Sequence, residues 1–476
     1  MATSGGVRFW LMYIVIVSAL GGFLFGFDSG VISGCEKAIQ AEYGLSNFAH
    51  GFTVSIALIG TVIGAFGVGG PSDRLGRKKI LMILGVLYLI SAVGCAFAPD
   101  WGTLVFMRGL GGLAIGGSSV VVPLYIVEIA PGPVRGRLVA VNQLNIVFGI
   151  LVSYISNYFV AQAIDHQTAV WTWCEQFANW FVTDSLGAES IKWRLMLGVE
   201  AFPAFAFILL LFSIPESPRW LVRVGRKDES LGILRAIGDP EPETTVANIS
   251  ETLQNTQIGE DVPLFQKKYL WPIFLAWAVA MFNQLSGINA INYYAPRIFE
   301  PFMGTSSALA ATVGLGCVNL TFTLLAFVFI DWFGRRALLM FGALGTTAMH
   351  FLAAWQLSLG ENANPYIAIG AILGFIAFFA VSQGAVIWVF ISEIFPNAVR
   401  AKGQALGSFT HWFMCTAISW VFPIIAGISP SSGSYAFAFF GMMTLLQFFF
   451  AWKLMPETKG GTIETLEKEI AAKRSA

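Results

Sequence analysis

Apolar runs of roughly 20 residues recur along the whole chain, with short polar breaks between them. Twelve can be counted, at about 9–34, 49–70, 80–98, 101–127, 138–163, 192–214, 270–298, 306–330, 337–358, 366–391, 403–427 and 433–455. Each is long enough to cross a bilayer as a helix at about 1.5 Å per residue. The polar breaks repeat too. GGPSDRLGRKK at 69–79 and FIDWFGRRALL at 329–339 each set an aspartate, a glycine and two adjacent basic residues among apolar runs. PLYIVEIAPGPVRGR at 123–137 ends span 4, and VFISEIFPNAVRAKG at 389–403 ends span 10. PESPRW at 215–220 follows span 6, and PETKG at 456–460 follows span 12. Three motifs in one order, twice, predict two copies of one bundle. The expected fold is an all-α membrane protein, with twelve transmembrane helices in two pseudo-symmetric six-helix bundles. The expected segments are a first bundle at 1–215, a cytoplasmic helical linker at 216–269, a second bundle at 270–455 and a cytoplasmic tail at 456–476.

Composition agrees. Charged residues are 12% of the chain and hydrophobic ones 56%, too little polar surface to cover a soluble fold of this length. The net charge is zero, so the whole chain offers no electrostatic argument for nucleic acid, and none is expected as a partner. The distribution of charge says more. Arg74, Arg77, Lys78 and Lys79, then Arg135 and Arg137, then Arg219 to Lys268, then Arg335, Arg336, Arg400 and Lys402 fall in alternate connections. The opposite connections hold little beyond Lys37, Lys192, Arg194 and Arg297. The positive-inside rule then puts both termini in the cytoplasm of a multi-pass cell-membrane protein. The first apolar run carries one nearby basic residue, Arg8, and no cleavage site, so it reads as span 1. The five cysteines form no metal or redox motif. An outer loop at 164–191 carries Trp171, Trp173 and Trp180, which reads as an interfacial aromatic belt or as a lid.

Charges inside the spans are costly and mark function. Asp28 lies about seven residues, roughly 10 Å, from the outer end of span 1. Arg108 in span 4 falls at the same depth from the same side, so the two can pair. A static buried ion pair is one reading. The other is a proton switch: contact with the guanidinium favours the carboxylate, and apolar surroundings favour the acid. Glu200 in span 6 is the second intramembrane acid, with a capped carboxyl as its bland reading. Gln284 and Asn289 in span 7 and Asn319 in span 8 fall near mid-membrane. Amides there need partners, from other helices or from a polyhydroxyl substrate.

GFLFGFDSGVISG at 22–34, SDRLGRKK at 72–79, RGLGGLAIGG at 108–117, PESPRW, QLSGINAINYY at 284–294, DWFGRR at 331–336 and ISEIFPNAVRAKG at 391–403 together resemble the sugar porter family of the major facilitator superfamily. The resemblance covers essentially the whole chain and is nearest to bacterial proton-coupled pentose and hexose symporters. It implies import of a monosaccharide with a proton by alternating access, in a carrier that works as a monomer in the lipid bilayer. It implies proton coupling through Asp28, Arg108 and Glu200, since proton-linked members carry the aspartate and facilitators typically lack it. It implies sugar contacts at Gln143, Gln284, Asn289, Asn319, Trp388 and Trp412, with Tyr293 and Tyr294 closing over the sugar. The chain departs from the family at Asn283, where a second glutamine is usual, and at His411, where an amide usually precedes the tryptophan. Ala385 and Ile387 stand where a proline-rich run is common. These departures bear on sugar preference and on the flexing of span 10.

The repeated tags suggest a cytoplasmic latch of Asp73, Arg77, Glu128, Arg135, Glu216, Arg219, Asp331, Arg335, Glu393 and Arg400, with orientation signalling as the bland alternative. Glu128 is expected to meet Arg135, and Glu393 to meet Arg400. No Gly-rich phosphate loop is present, so ATP is not the direct energy source. No reactive cluster suggests an enzyme, and no cofactor is expected. A facilitator and a membrane sugar sensor remain the rival readings.

Overall fold

The computed structural model of the chain describes residues 4–131, 134–166, 172, 187–258, 262–396, 399–428 and 432–459. Trp171, Trp173 and Trp180 lie outside these residues. Among the described residues there are twelve helical spans long and apolar enough to cross a membrane, and no strand. They are Phe9–Glu42, Asn47–Gly67, Arg77–Ala96, Trp101–Ile129, Arg135–Asp165, Ala188–Leu211, Lys267–Met303, Thr305–Ile330, Arg335–Ser358, Pro365–Glu393, Arg400–Ala426 and Gly433–Lys453. The expected fold is the observed one, and the chain is a multi-pass membrane protein. Three short helices, Pro218–Arg223, Lys227–Ala236 and Pro242–Ile258, connect spans 6 and 7.

Several spans are interrupted, each for a local reason. Span 6 is two helices, Ala188–Gly198 and Ala201–Leu211. Pro203 cannot donate to the carbonyl of Val199, and the amide of Phe202 bonds that oxygen instead at 3.1 Å. Glu200 therefore sits in the break. Span 7 breaks between Leu285 and Ile288, where Gly287 takes the left-handed φ of 79° that glycine tolerates best. Span 10 breaks at Ser382 with no proline present, where the backbone leaves helical geometry at φ −123° and ψ −84°. The proline run usual near Trp388 is thus not needed for a discontinuity in this span.

The chain forms two compact units. One comprises residues 1–31, 56–156 and 173–261, and the other residues 32–55, 157–172 and 262–476. The first is centred on buried Leu84, Tyr88, Val122, Tyr125 and Phe207, and the second on Leu275, Ile330, Leu339, Phe390 and Phe395. Lipid is as apolar as these side chains, so close packing rather than escape from water holds them together.

Candidate functional site

In the first unit, span 1 carries Asp28 and span 4 carries Arg108, both buried. Arg108 Nη1 lies 3.5 Å from Asp28 Oδ1, the outer limit of a hydrogen bond. The depth argument made from sequence thus brings the right two residues together. The break in span 6 holds Glu200, also buried, close enough to Asp28 and Arg108 for their charges to act on its carboxyl. Asp28 Oδ2 and Glu200 Oε1 receive no donor from other described groups. Two buried carboxyl groups therefore share one guanidinium, and Gly111 and Ser91 lie beside Asp28.

In the second unit, span 7 presents a run of amides. Gln284 Nε2 donates to Asn283 Oδ1 at 3.0 Å, and Asn289 Nδ2 donates to Gln284 Oε1 at 2.6 Å, across the break. Asn283 Nδ2 reaches the backbone oxygen of Gln383 at 3.4 Å. Gln284 Nε2 also lies 3.2 Å from His411 Nδ1. His411 packs against Trp388, with centroids 4.8 Å apart, and against Trp412 at 5.0 Å. Amides that donate and accept, next to indole faces, are what a sugar's hydroxyls and apolar ring face require. His411 joins the amide chain, which places it among the candidate site residues rather than apart from them. Tyr294 Oη donates to Ser419 O at 3.0 Å, while Tyr293 and Asn289 lie against the Cys415 thiol. Asn319 is not in this chain of bonds; its Oδ1 accepts from Thr323 at 3.5 Å. Gln143 lies in the first unit, half-buried on span 5. Sequence reasoning missed Gln383, whose fully buried amide has neither of its polar atoms paired among the described groups. A glutamine in an apolar run was the available signal.

The repeated tags fold into the same device twice. In the first unit Glu216 Oε1 accepts from the backbone amides of Arg77 at 3.0 Å and Lys78 at 3.1 Å. In the second, Glu457 accepts from the amides of Arg335 at 2.9 Å and Arg336 at 3.0 Å. Each acid thus caps the N-terminus of a span. Arg77 meets Glu128 with two bonds, Nε at 2.8 Å and Nη2 at 2.9 Å, and Arg335 meets Glu393 at 3.1 and 2.8 Å. Ser217 Oγ donates to Glu128, and Thr458 Oγ1 to Glu393. Gly76 and Gly334 stand before these spans with φ of 95° and 83°, and each faces the capping carboxylate where a Cβ would be.

Glu128 and Glu393 therefore take Arg77 and Arg335, not Arg135 and Arg400. Those two arginines instead donate to Ala130 O at 3.5 Å and Phe395 O at 3.3 Å. Asp73 accepts from Arg223 at 2.8 Å and Arg77 at 3.1 Å. Burial works to raise its pKa, but the two arginines outweigh burial and hold it below the usual 3.8. Arg219 is exposed, and the Asp331 side chain lies outside the described residues.

A family profile described as sugar (and other) transporter matches residues 14–470. The D-xylose-proton symporter of Escherichia coli (strain K12) is 36% identical over 96% of this chain and 95% of its own length. The arabinose-proton symporter of Bacillus subtilis (strain 168) is 34% identical over 96% of this chain and 95% of its own. Among solved structures, an inward open conformation of the xylose transporter XylE from E. coli superposes with a TM-score of 0.81 at 34% identity. That match covers 97% of this chain and all of the other.

Proposed function

Because the chain belongs to the sugar (and other) transporter family, we propose that it is a secondary active transporter importing a monosaccharide together with a proton. It is a carrier rather than an enzyme. The observation that carries the proton is the meeting of Asp28, Glu200 and Arg108 out of water. A single proton shared between two neighbouring acids lowers their repulsion, and the guanidinium compensates the charge left when it departs. Asp28 is the group that gains and loses the proton, Arg108 its counter-charge, and Glu200 its relay.

The sugar is assigned to Gln284, Asn289, Trp388 and Trp412 on the strength of the amide chain beside the indoles, with His411 added to them. Gln143 and Asn319 are assigned on resemblance, as are Tyr293 and Tyr294 for closure. The symporters named for xylose and arabinose support a pentose as cargo, and a hexose is kept on the resemblance. The bundles at 1–215 and 270–455 would work by alternating access, joined by the linker at 216–269, with both termini and the tail at 456–476 in the cytoplasm. One chain is the working unit, and the latch residues brace the cytoplasmic ends.

The test is uptake into proteoliposomes holding an internal pH dye, across a panel of pentoses and hexoses. Uptake of at least one sugar with matching internal acidification is expected. Downhill sugar flux with no acidification, under any imposed pH gradient, would leave a facilitator instead.

A further inference from the structure

His350 lies in the middle of span 9, is fully buried, and belongs to none of the groups assigned above. Its Nε2 is 2.9 Å from the backbone oxygen of Ser286. A carbonyl only accepts, so Nε2 carries the hydrogen and donates it. Ser286 is the residue at which span 7 breaks. The first helix ends at Leu285, Gly287 is left-handed, and the second begins at Ile288. A break inside a bilayer frees backbone groups that no water can reach, and something must satisfy them. Here two side chains do so: Ser286 Oγ donates to Asn283 O at 2.6 Å, and His350 donates to Ser286 O.

The surroundings of His350 hold it to that single task. Its ring packs on Phe375 at 4.3 Å, Phe437 at 5.8 Å and Phe440 at 5.9 Å, and its other nitrogen, Nδ1, has no partner among the described groups. Phe440 also covers Gly287, where a Cβ would run into its ring. Donor, aromatic lid and glycine thus converge on one turn of backbone. Gln284 precedes that turn and Asn289 follows it, and their mutual 2.6 Å bond spans it.

We infer that His350 is a positioning residue for substrate: it pins the break in span 7 so that Gln284 and Asn289 converge on one ligand. The pin stands on the geometry alone; its consequence for affinity rests on the sugar assignment made above.

Two readouts separate those parts. The variants are His350→Leu, which removes the donor, and His350→Gln, whose amide nitrogen restores one at similar reach. Thr347→Val is the control, since Thr347 shares span 9 with His350 and its buried bond goes to Thr444 of span 12, away from the break. Hydrogen exchange of a peptide covering 282–291 in the full-length protein reports the pin without any sugar. Equilibrium sugar binding reports the positioning. The expected result is exchange about tenfold faster and affinity about tenfold weaker in His350→Leu, the change one lost buried hydrogen bond produces. Both should return towards wild type in His350→Gln and stay unchanged in Thr347→Val. Unaltered exchange in His350→Leu overturns the pin. Faster exchange with unaltered affinity overturns the positioning role. A wild-type protein that binds no sugar in the panel overturns the cargo assignment instead, and exchange alone then decides the pin.

Discussion

Arg108 Nη1 stands 3.5 Å from Asp28 Oδ1 inside the membrane, a looser meeting than any in the clasp where Arg77 holds Glu128 at 2.8 and 2.9 Å. A pair kept only for packing is expected to be short and fully bonded, because nothing else compensates for removing its charges from water. The clasp has that form. The Asp28–Arg108 contact is long, and Asp28 Oδ2 has no hydrogen-bond partner among the described groups. This difference favours an exchanging group over a fixed strut.

Asp28→Asn keeps the size of the side chain and removes its proton chemistry. Uphill accumulation of sugar should fall to background, while sugar–sugar exchange across the same liposomes should persist. Full accumulation by this variant would remove the proton switch from the mechanism.

The two clasps differ in burial, so equal changes should have unequal effects. Arg77 and Glu128 side chains are 7% and 3% exposed, whereas those of Arg335 and Glu393 are 13% and 28% exposed. Removing one partner of a buried pair costs about 3–5 kcal/mol. Glu128→Gln should approach that range and Glu393→Gln should fall well below it. Unfolding midpoints in one detergent, compared side by side, check the order.

Gly76 and Gly334 have ψ of 160° and 171° at positive φ, a region that residues with a Cβ avoid. Alanine at either should cost of order 1–3 kcal/mol and loosen the adjoining cap by crowding Glu216 or Glu457. The two losses should be alike and additive, since the sites share no partner. Thermal unfolding of both single variants and the double variant tests this.

Asp73 contributes a pH dependence of definite sign. Its folded pKa lies below the ordinary 3.8, held there by Arg223 and Arg77 against the effect of burial. Its stabilising contribution is therefore complete above that ordinary value and is lost as pH falls through the folded one. Wild type should exceed Asp73→Asn in thermal stability at pH 6, and the gap should narrow below about pH 4. A gap that widens on acidification would contradict the arrangement.

The fold was legible because hydropathy and repeated tags depend on local sequence. Where helices bend or extend was less so. Hydropathy placed the end of span 1 near Gly34, yet the helix runs on to Glu42. Glu36 lies in that extension. It is in fact buried, 2.7 Å from His50 and accepting a hydrogen bond from Arg297 Nε at 2.9 Å. Those partners are remote in sequence, and no local window registers them. The meeting of Asp28 with Arg108 was legible because helix rise converts residue counts into depth. His350 was not, since its role depends on which of several faces of span 9 meets span 7.

The doubled turn after spans 2 and 8 has one more consequence. It uses a glycine, two basic residues and a glutamate delivered from just beyond the fourth span onward, and it works with Ser217 in one copy and Thr458 in the other. The protein has thus run the same local experiment twice with different neighbours. Whatever the two copies share is the recipe, and whatever differs between them is free to drift.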